Sequence, residues 1–304
     1  MNLLIVHLGA LGDLLLSRPA LLAIRRSFPS AKISLLGYPR ILCLLNKELR
    51  IDNIYSADGS FLISLYTGKK IDFWKKFDQI IFFLHYRLEW EGALKRLNIK
   101  VYFIKPFPKE ESIHVTVYQQ QQLRSYGIEY NLDFIPLNLD NFHDISKVPQ
   151  ILIHPGSGSP EKNWPEENFL SLIKDLSNMA DVGIIVGPAQ WNRNNYSTGQ
   201  TDKNMAEDIM VLDSLPLTKL AKIMSKARVF IGNDSGITHL AAAVGIPTIA
   251  LFGPTDPKVW SPWGRDVRVI RHECLKKITV SEVKAAVEPF VLDNLKTPHY
   301  YVGH

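Results

Sequence analysis

NLLIVHLGALGDLLLSRPALLAIRRSF, residues 2–28, is the stretch that decides the fold of this chain. Its first seven residues form a near-continuous apolar run, which is typical of a strand buried on both faces of a parallel sheet. A glycine-bearing turn, GALGD, follows, and apolar side chains then recur at helical spacing. Residues 32–37 (KISLLG) predict the next strand. A strand, a turn, a helix and a second strand indicate a parallel sheet with helical crossovers.

The same alternation continues along the chain and predicts two such sheets. Further strands are predicted at residues 79–84, 100–104, 150–154, 182–187, 209–212, 228–232 and 247–252. Helices are predicted at residues 166–179, 217–227 and 279–292. Residues 131–149 show no period and read as the connection. We therefore expect an α/β protein with an N-terminal domain over residues 1–145 and a C-terminal domain over residues 146–304.

Composition and charge narrow the class of protein. Of the 304 residues, 46% are hydrophobic and 21% charged, which excludes a disordered or fibrous chain. The two cysteines, Cys43 and Cys274, lack disulfide or zinc spacing and fit a cytoplasmic location. The net charge of +5 comes from the first 150 residues, which carry 19 basic and 14 acidic side chains. This excess indicates an anionic partner, such as a phosphorylated substrate or a membrane surface, or simply a solvated face.

Three loops follow predicted strands, where open parallel sheets bind ligands. In HLGALGD, Asp13 lies in the first turn of a helix and is either an N-terminal cap or a functional carboxylate. In HPGSGSPEKNWP, small residues precede Lys162, a combination that suits a diphosphate but also an ordinary turn. In IGNDSGITH, polar groups converge on a helix start. There Asp234 or Ser235 is a cap or a ligand, and His239 a packed residue or a ligand.

Together these loops resemble the family 9 glycosyltransferases, the lipopolysaccharide heptosyltransferases. The resemblance lies in three segments and a shorter one near the C-terminus: HLGALGDLLLSRPALLAIRRSFP, IHPGSGSPEKNWPEENF, VFIGNDSGITHLAAAVGIPTIALFGPTDPKVWSPWG and CLKKITVSEV. It implies the GT-B fold, in which two Rossmann-like domains face a central cleft and the C-terminal helix often returns to the N-terminal domain. It also implies an inverting, metal-independent transfer of a heptose or related sugar from a nucleotide-diphosphate donor, ADP-heptose in well-known members.

Site residues are carried over by position. Asp13 matches the general base, and the donor-binding residues are expected to be Gly12, Ser157, Lys162, Asp234, Ser235, Gly236 and His239. We expect no metal and no cofactor, since the nucleotide sugar is a co-substrate and no Asp-x-Asp motif is present.

The excess of basic residues in the first half of the chain, together with the resemblance, predicts an anionic partner. We expect an anionic glycolipid of the lipopolysaccharide core or lipid A type as acceptor, with Arg18 and Arg40 as contacts and no nucleic acid. Further cations, Arg25, Arg26 and the cluster Lys69, Lys70, Lys75 and Lys76, suggest a peripheral contact with the inner face of the inner membrane.

The sequence departs from the family near residue 190. Where members often carry an acidic ribose contact, this chain has Gln190 and Asn192, which leaves the nucleobase open. Two alternatives therefore stand beside the transferase: a non-catalytic nucleotide-sugar-binding protein, and another GT-B enzyme such as a sugar-nucleotide epimerase.

Overall fold

The computed structural model describes residues 1–69, 71–109, 112–139, 147–187 and 209–292. It divides into two compact units. The first comprises Met1–Asn141, Pro216–Lys219 and Lys258–Trp263. The second comprises Phe142–Leu215, Leu220–Pro257 and Gly264–His304.

The first unit is built on a five-stranded sheet in the order β3-β2-β1-β4-β5, in which every pairing is parallel. Its strands are β1 (Asn2–His7), β2 (Lys32–Gly37), β3 (Ile51–Ser56), β4 (Gln79–Phe83) and β5 (Lys100–Phe103). Its helices are α1 (Leu11–Ser27), α2 (Pro39–Leu42), α3 (Asn46–Leu49), α4 (Phe61–Thr67), α5 (Glu91–Leu97) and α6 (Val115–Arg124). The central strands β1 and β4 are buried over most of their length, as their apolar runs predict.

The second unit contains a six-stranded parallel sheet in the order β11-β10-β9-β6-β7-β8. Its strands are β6 (Ile151–His154), β7 (Val182–Val186), β8 (Met210–Asp213), β9 (Val229–Asn233), β10 (Thr248–Phe252) and β11 (Val267–Arg271). The remaining helices in the described residues are α7 (Glu166–Ser177), α8 (Leu217–Met224), α9 (Gly236–Val244), α10 (Pro257–Trp260) and α11 (Val280–Leu292). The prediction of an α/β fold with two parallel sheets is confirmed.

Helix α11 packs on the core of the second unit through a stripe at four-residue spacing. Val283, Val287 and Val291 are buried in the same apolar cluster as Leu172 and Leu176 of α7. The predicted return of the C-terminal helix to the N-terminal domain stays a prediction, since residues 293–304 lie outside the described residues. In the part of the chain that is described, every helix is too short or too polar to cross a membrane.

Candidate active site

The predicted base, Asp13, lies half-buried in the first turn of α1, directly after the loop that leaves β1. Its Oδ2 accepts a hydrogen bond from the backbone N–H of Ala10 at 2.8 Å. The first turn of a helix leaves such N–H groups without helical partners, so this contact stabilises the helix start. The N-cap is therefore Ala10 and not Asp13, which sits at the third position of the helix and bonds back to it; the catalytic role of Asp13 stays a prediction. Gly12 lies in the same turn.

The absence of a side chain at Gly9 avoids a steric clash with the side chain of Asp13. A Cβ added at Gly9 would lie 2.6 Å from the Cβ of Asp13, 3.0 Å from its Oδ2 and 2.9 Å from Cε1 of His7. Carbon atoms that are not bonded normally stay about 3.5–4.0 Å apart. A glycine is therefore needed for the loop to pass between the carboxylate and the imidazole.

A buried hydrogen-bond chain fixes the start of α1 against the end of β1. Ser17 Oγ donates to the backbone carbonyl of Asp13 at 2.8 Å, and His7 Nε2 lies 3.1 Å from the same hydroxyl. Because the hydroxyl has one hydrogen, which points to Asp13, His7 Nε2 donates to Ser17. Burial lowers the pKa of His7 to about 4, so the ring is neutral at physiological pH. The sequence analysis did not single out His7, although its place at the carboxyl end of β1 was a signal.

In the second unit, the loops that follow β6 and β9 meet in an ion pair. Lys162 ends the short 3-10 turn Pro160–Lys162, and its Nζ lies 2.7 Å from Asp234 Oδ2. The Asp234 side chain is 7% exposed and that of Lys162 is 34% exposed. The other oxygen, Asp234 Oδ1, lies 3.9 Å from Nε2 of buried His239. The structure thus brings together three residues that the sequence assigned to donor binding.

A third loop contributes a residue that the sequence analysis missed. Thr255, in the loop after β10, donates its hydroxyl to Asp234 Oδ2 at 2.7 Å. Two donors therefore hold the same carboxylate oxygen and orient the Asp234 side chain. The signal was available, because β9 and β10 are neighbouring parallel strands whose carboxyl ends share an edge of the sheet.

Asn233 ties the β6 and β9 loops together beneath this ion pair. Its Nδ2 donates to the carbonyl of Pro155 at 2.6 Å, and its Oδ1 accepts from the backbone N–H of Trp164 at 3.0 Å. Asn233 is fully buried, so both halves of its amide need these partners. The segment that carries Lys162 is therefore fastened at both ends to the residue preceding Asp234.

The remaining predicted donor residues line the same strand ends. Ser235 caps α9 by accepting from the N–H of Thr238, and Gly236 is the first residue of that helix. Ser157 is buried, and its hydroxyl donates to the carbonyl of Ser159 at 2.6 Å. The exposed N–H groups and dipole of a helix start favour an anion. A helix start beside the ammonium of Lys162 suits an anion, and binding of the donor at these residues stays a prediction.

The structure places Arg18 in a buried ion pair, and its predicted contact with the acceptor stays a prediction. Its side chain is 3% exposed and pairs with Glu48, 4% exposed, through Nε to Oε2 at 2.8 Å and Nη2 to Oε1 at 2.5 Å. The guanidinium also donates to the carbonyls of Ile135 and Pro136. These partners account for its buried donors, so Arg18 is no free cation at the surface. Arg40, by contrast, is exposed in α2.

Some predictions fall on other parts of the chain. Gln190 and Asn192, at the changed ribose position, and Lys70 of the basic cluster lie outside the described residues. Within the described ranges, no group of three or more His, Cys, Asp or Glu side chains is placed to hold a metal ion. Asp13 and Lys162 belong to different units, and their meeting across a cleft stays a prediction.

Comparison with known proteins identifies the family to which these loops point. The model of "Glycosyltransferase family 9 (heptosyltransferase)" matches residues 112–287, more than half of the chain. Lipopolysaccharide heptosyltransferase 1 of Escherichia coli O18:K1:H7 is 32% identical over 133 residues, which are 42% of this chain and 39% of that protein. Lipopolysaccharide heptosyltransferase 1 of Pseudomonas aeruginosa is 24% identical over 316 residues, covering 91% of this chain and 87% of that protein.

A solved structure supports the fold. That of E. coli ADP-heptose lps heptosyltransferase II has a TM-score of 0.77 at 18% identity, with 96% of this chain and 99% of that chain covered. The expected GT-B type of α/β fold, with a parallel sheet in each half, is thereby confirmed. Because the family model spans more than half of its length, this chain belongs to glycosyltransferase family 9, the heptosyltransferase family, and is a glycosyltransferase.

Proposed function

We propose that this chain transfers a heptose, with inversion and without a metal ion, from ADP-heptose to an acceptor of the lipopolysaccharide core or lipid A type. The observation that carries the proposal is the Lys162–Asp234 ion pair at the edge where the loops after β6, β9 and β10 converge. ADP-heptose is proposed as the donor because it is the donor of the similar E. coli heptosyltransferase II. The acceptor class is proposed from the lipopolysaccharide heptosyltransferases that the chain resembles.

The proposed chemistry assigns one role to each group. As the acceptor oxygen attacks the anomeric carbon, the Asp13 carboxylate takes the proton from that hydroxyl. The bond between the anomeric carbon and the phosphate oxygen breaks, and its electron pair leaves with ADP. The ammonium of Lys162 and the N–H groups at the start of α9 stabilise the charge that develops on the diphosphate. Asp234 accepts hydrogen bonds from hydroxyls of the sugar and keeps it in place.

The base assignment is tested with Asp13→Asn, which retains the size of the side chain. We expect turnover to fall by about 10²–10⁴-fold, since general-base catalysis contributes a factor of that order, while the Kd of ADP-heptose by calorimetry stays within about twofold. The matched control is Asp52→Asn, an exposed carboxylate on β3. Full activity of the Asp13→Asn protein would refute the assignment.

The donor site is tested with Lys162→Ala against Lys174→Ala, an exposed lysine on α7. We expect only the first variant to weaken ADP-heptose and ADP binding, by about tenfold or more, because it removes a charge-assisted contact to the diphosphate. Equal affinity in the two variants would contradict the site. Turnover that survives EDTA supports the metal-free mechanism.

Three further measurements distinguish the alternative functions and identify the nucleotide. Single-turnover transfer distinguishes the enzyme from a non-catalytic binding protein, and product analysis without acceptor detects an epimerase. Since Gln190 and Asn192 replace the expected acidic contact, thermal shifts with ADP-, GDP- and UDP-sugars identify the base that binds, because a bound donor raises Tm by mass action.

We place the reaction at the cytoplasmic face of the inner membrane, on the surface formed by α4 and the turn before α5. Ile63 and Leu88 are 61% and 71% exposed, and half-exposed Tyr66 contacts Trp90 at a ring distance of 5.5 Å. The exposed cation Lys69 lies two residues after the end of α4, and exposed Arg96 lies in the last turn of α5. Apolar and aromatic side chains beside cations suit an anionic lipid surface.

Vesicle binding tests this placement. We expect Leu88→Ser to reduce co-sedimentation with phosphatidylglycerol vesicles at low salt, and Leu132→Ser, at another exposed leucine, to leave it unchanged. Equal binding of the wild-type protein to anionic and neutral vesicles would count against the membrane contact.

A further inference from the structure

The start of α1 is attached to the end of β1 by two hydrogen bonds that do not involve the Asp13 carboxylate. His7 Nε2 lies 3.1 Å from Ser17 Oγ, and Ser17 Oγ donates to the carbonyl oxygen of Asp13 at 2.8 Å. His7 and Ser17 are 4% and 1% exposed, so water does not compete for these bonds. The chain from imidazole to hydroxyl to carbonyl therefore fixes the backbone of Asp13 relative to the sheet.

The His7 ring depends on Ser17 in turn. Its Nε2–H donates to the Ser17 hydroxyl, so Nδ1 is left as an acceptor. Nδ1 is buried and has no hydrogen-bond partner in the part of the chain that the structure describes. The bond to Ser17 is therefore the contact that holds the polar edge of this ring, and loss of either side chain breaks the whole chain of bonds.

The end of β1 is a rigid anchor for this chain because β1 is a central strand. His7 pairs with Gly37 of β2 on one side and with Phe83 of β4 on the other. A Cβ added at Gly37 would overlap the carbonyl oxygen of His7, and the His7 ring lies 5.8 Å from that of Phe83. Neighbours on both sides thus keep His7 in place, and its position is transmitted to Ser17.

The other contact at the start of α1 depends on the carboxylate itself. Asp13 Oδ2 accepts from the backbone N–H of Ala10 at 2.8 Å. In the proposed reaction this carboxylate takes a proton, and a neutral carboxyl group accepts hydrogen bonds less strongly than an ionised one. The bond to Ala10 therefore weakens in the step that needs Asp13 in place. The bond from Ser17 goes to the backbone carbonyl, and its strength does not depend on that proton.

We propose that His7 and Ser17 are positioning residues that hold Asp13 in place while it removes the proton from the acceptor hydroxyl. This inference rests on the proposed function. Both side chains are buried and act through the backbone of Asp13 rather than by contact with substrate. A displacement of about 1 Å can lower a rate by about 10²-fold, so a tether at the carbonyl of the base is sufficient to affect kcat.

The test is a double-mutant cycle at the two positions. Ser17→Ala removes the hydroxyl, and His7→Leu replaces the ring by an apolar side chain. Thr116→Val is the matched control, since Thr116 is fully buried and its hydroxyl also donates to a carbonyl of α1, that of Leu16 at 2.9 Å. Steady-state transfer gives kcat and the acceptor KM, calorimetry gives the Kd of ADP, and thermal unfolding gives Tm.

We expect Ser17→Ala and His7→Leu each to lower kcat by about tenfold or more, with the Kd of ADP and the acceptor KM within about twofold. The double variant should stay within about twofold of the slower single variant, because both changes break the same chain of bonds. His7→Gln, which retains an amide N–H as donor to Ser17, should recover most of kcat. Thr116→Val should lower Tm about as much as Ser17→Ala, since each loses one buried hydrogen bond, and leave kcat within about twofold.

A second background shows whether the effect is exerted through Asp13. In an Asp13→Asn protein the base is absent, so adding Ser17→Ala should change the residual kcat by no more than about twofold. The positioning role is overturned by an unchanged kcat in Ser17→Ala, by additive losses in the cycle, or by an equal loss of kcat in Thr116→Val. A further loss in the Asp13→Asn background overturns it as well. A wild-type protein that transfers no heptose, or a fully active Asp13→Asn protein, overturns the proposed function instead.

Discussion

Replacing Arg18 by methionine tests whether this residue acts in stability or in binding. The Arg18–Glu48 pair is almost fully excluded from solvent. Removing the guanidinium leaves the Glu48 carboxylate buried with no countercharge, and it also removes donors from two backbone carbonyls. Breaking a buried pair on one side typically costs about 3–5 kcal/mol. With an m-value of about 2 kcal/mol/M in urea, the unfolding midpoint of the first unit should fall by about 2 M.

A second variant separates the charge from the packing. Glu48 Oε1 also accepts from the backbone N–H of Asn138 at 2.8 Å. Arg18→Met/Glu48→Gln removes the uncompensated charge but keeps a side-chain oxygen for that N–H. We therefore expect the double variant to recover about 1–3 kcal/mol relative to Arg18→Met alone, as residues in direct contact couple by that order.

The assay is urea unfolding followed by circular dichroism and by tryptophan fluorescence, to which the buried Trp74 and Trp90 of the first unit contribute together with Trp164 of the second. Arg26→Met, at an exposed position of α1, is the matched control and should leave the midpoint within about 0.3 M. An unchanged midpoint for Arg18→Met, or a double variant no more stable than the single one, would refute the reasoning. An increased acceptor KM at an unchanged midpoint would return Arg18 to the acceptor site.

Three further predictions concern the site itself. Gly9→Ala should reduce kcat by about tenfold or more with the donor Kd unchanged, because the new methyl displaces Asp13; an active variant with normal kcat would show that the loop yields easily. In the unfolded chain His7 takes up a proton below pH 6.5, whereas in the folded protein its pKa is about 4 and it stays neutral. Between pH 6.5 and 4, His7 therefore lowers the free energy of unfolding by about 3 kcal/mol. Urea midpoints against pH should show that slope, and His7→Asn should flatten it; an equal slope in both proteins contradicts the assignment. Thr255→Val should raise the donor KM by about three- to tenfold and Thr255→Ser restore it, because only serine keeps the donor to Asp234; a valine variant with wild-type KM removes Thr255 from the site.

The sequence predicted the interior strands closely and missed two at the edges. Strand β2 was predicted to the residue, and β1, β4, β9 and β10 to within one or two residues at each end. Strands β3, IDNIYS, and β11, VRVIR, were not predicted. Each pairs on one side only and carries polar or charged side chains at exposed positions, so neither shows the continuous apolar run of a strand with both faces covered.

The positions of site residues were predictable where they follow from the strand and helix next to them in the sequence. Strand-end loops placed Asp13, Lys162 and Asp234 at helix starts, because the alternation of strands and helices fixes the edge at which loops meet. The role of Arg18 was not predictable in this way. An arginine on an amphipathic helix reads as exposed, and its partner Glu48 lies 30 positions along the chain with nothing local to indicate the pairing.

The ion pair between Lys162 and Asp234 affects how tightly the diphosphate binds and how fast ADP leaves in the proposed reaction. In the proposed reaction, an arriving diphosphate competes with a carboxylate for the same ammonium, so binding exchanges one anion for another and gains less than a lone lysine would give. When ADP departs, the lysine returns to a neighbour that is already oriented by Thr255. If the proposed reaction is correct, the ion pair therefore lowers the affinity for ADP and speeds its release.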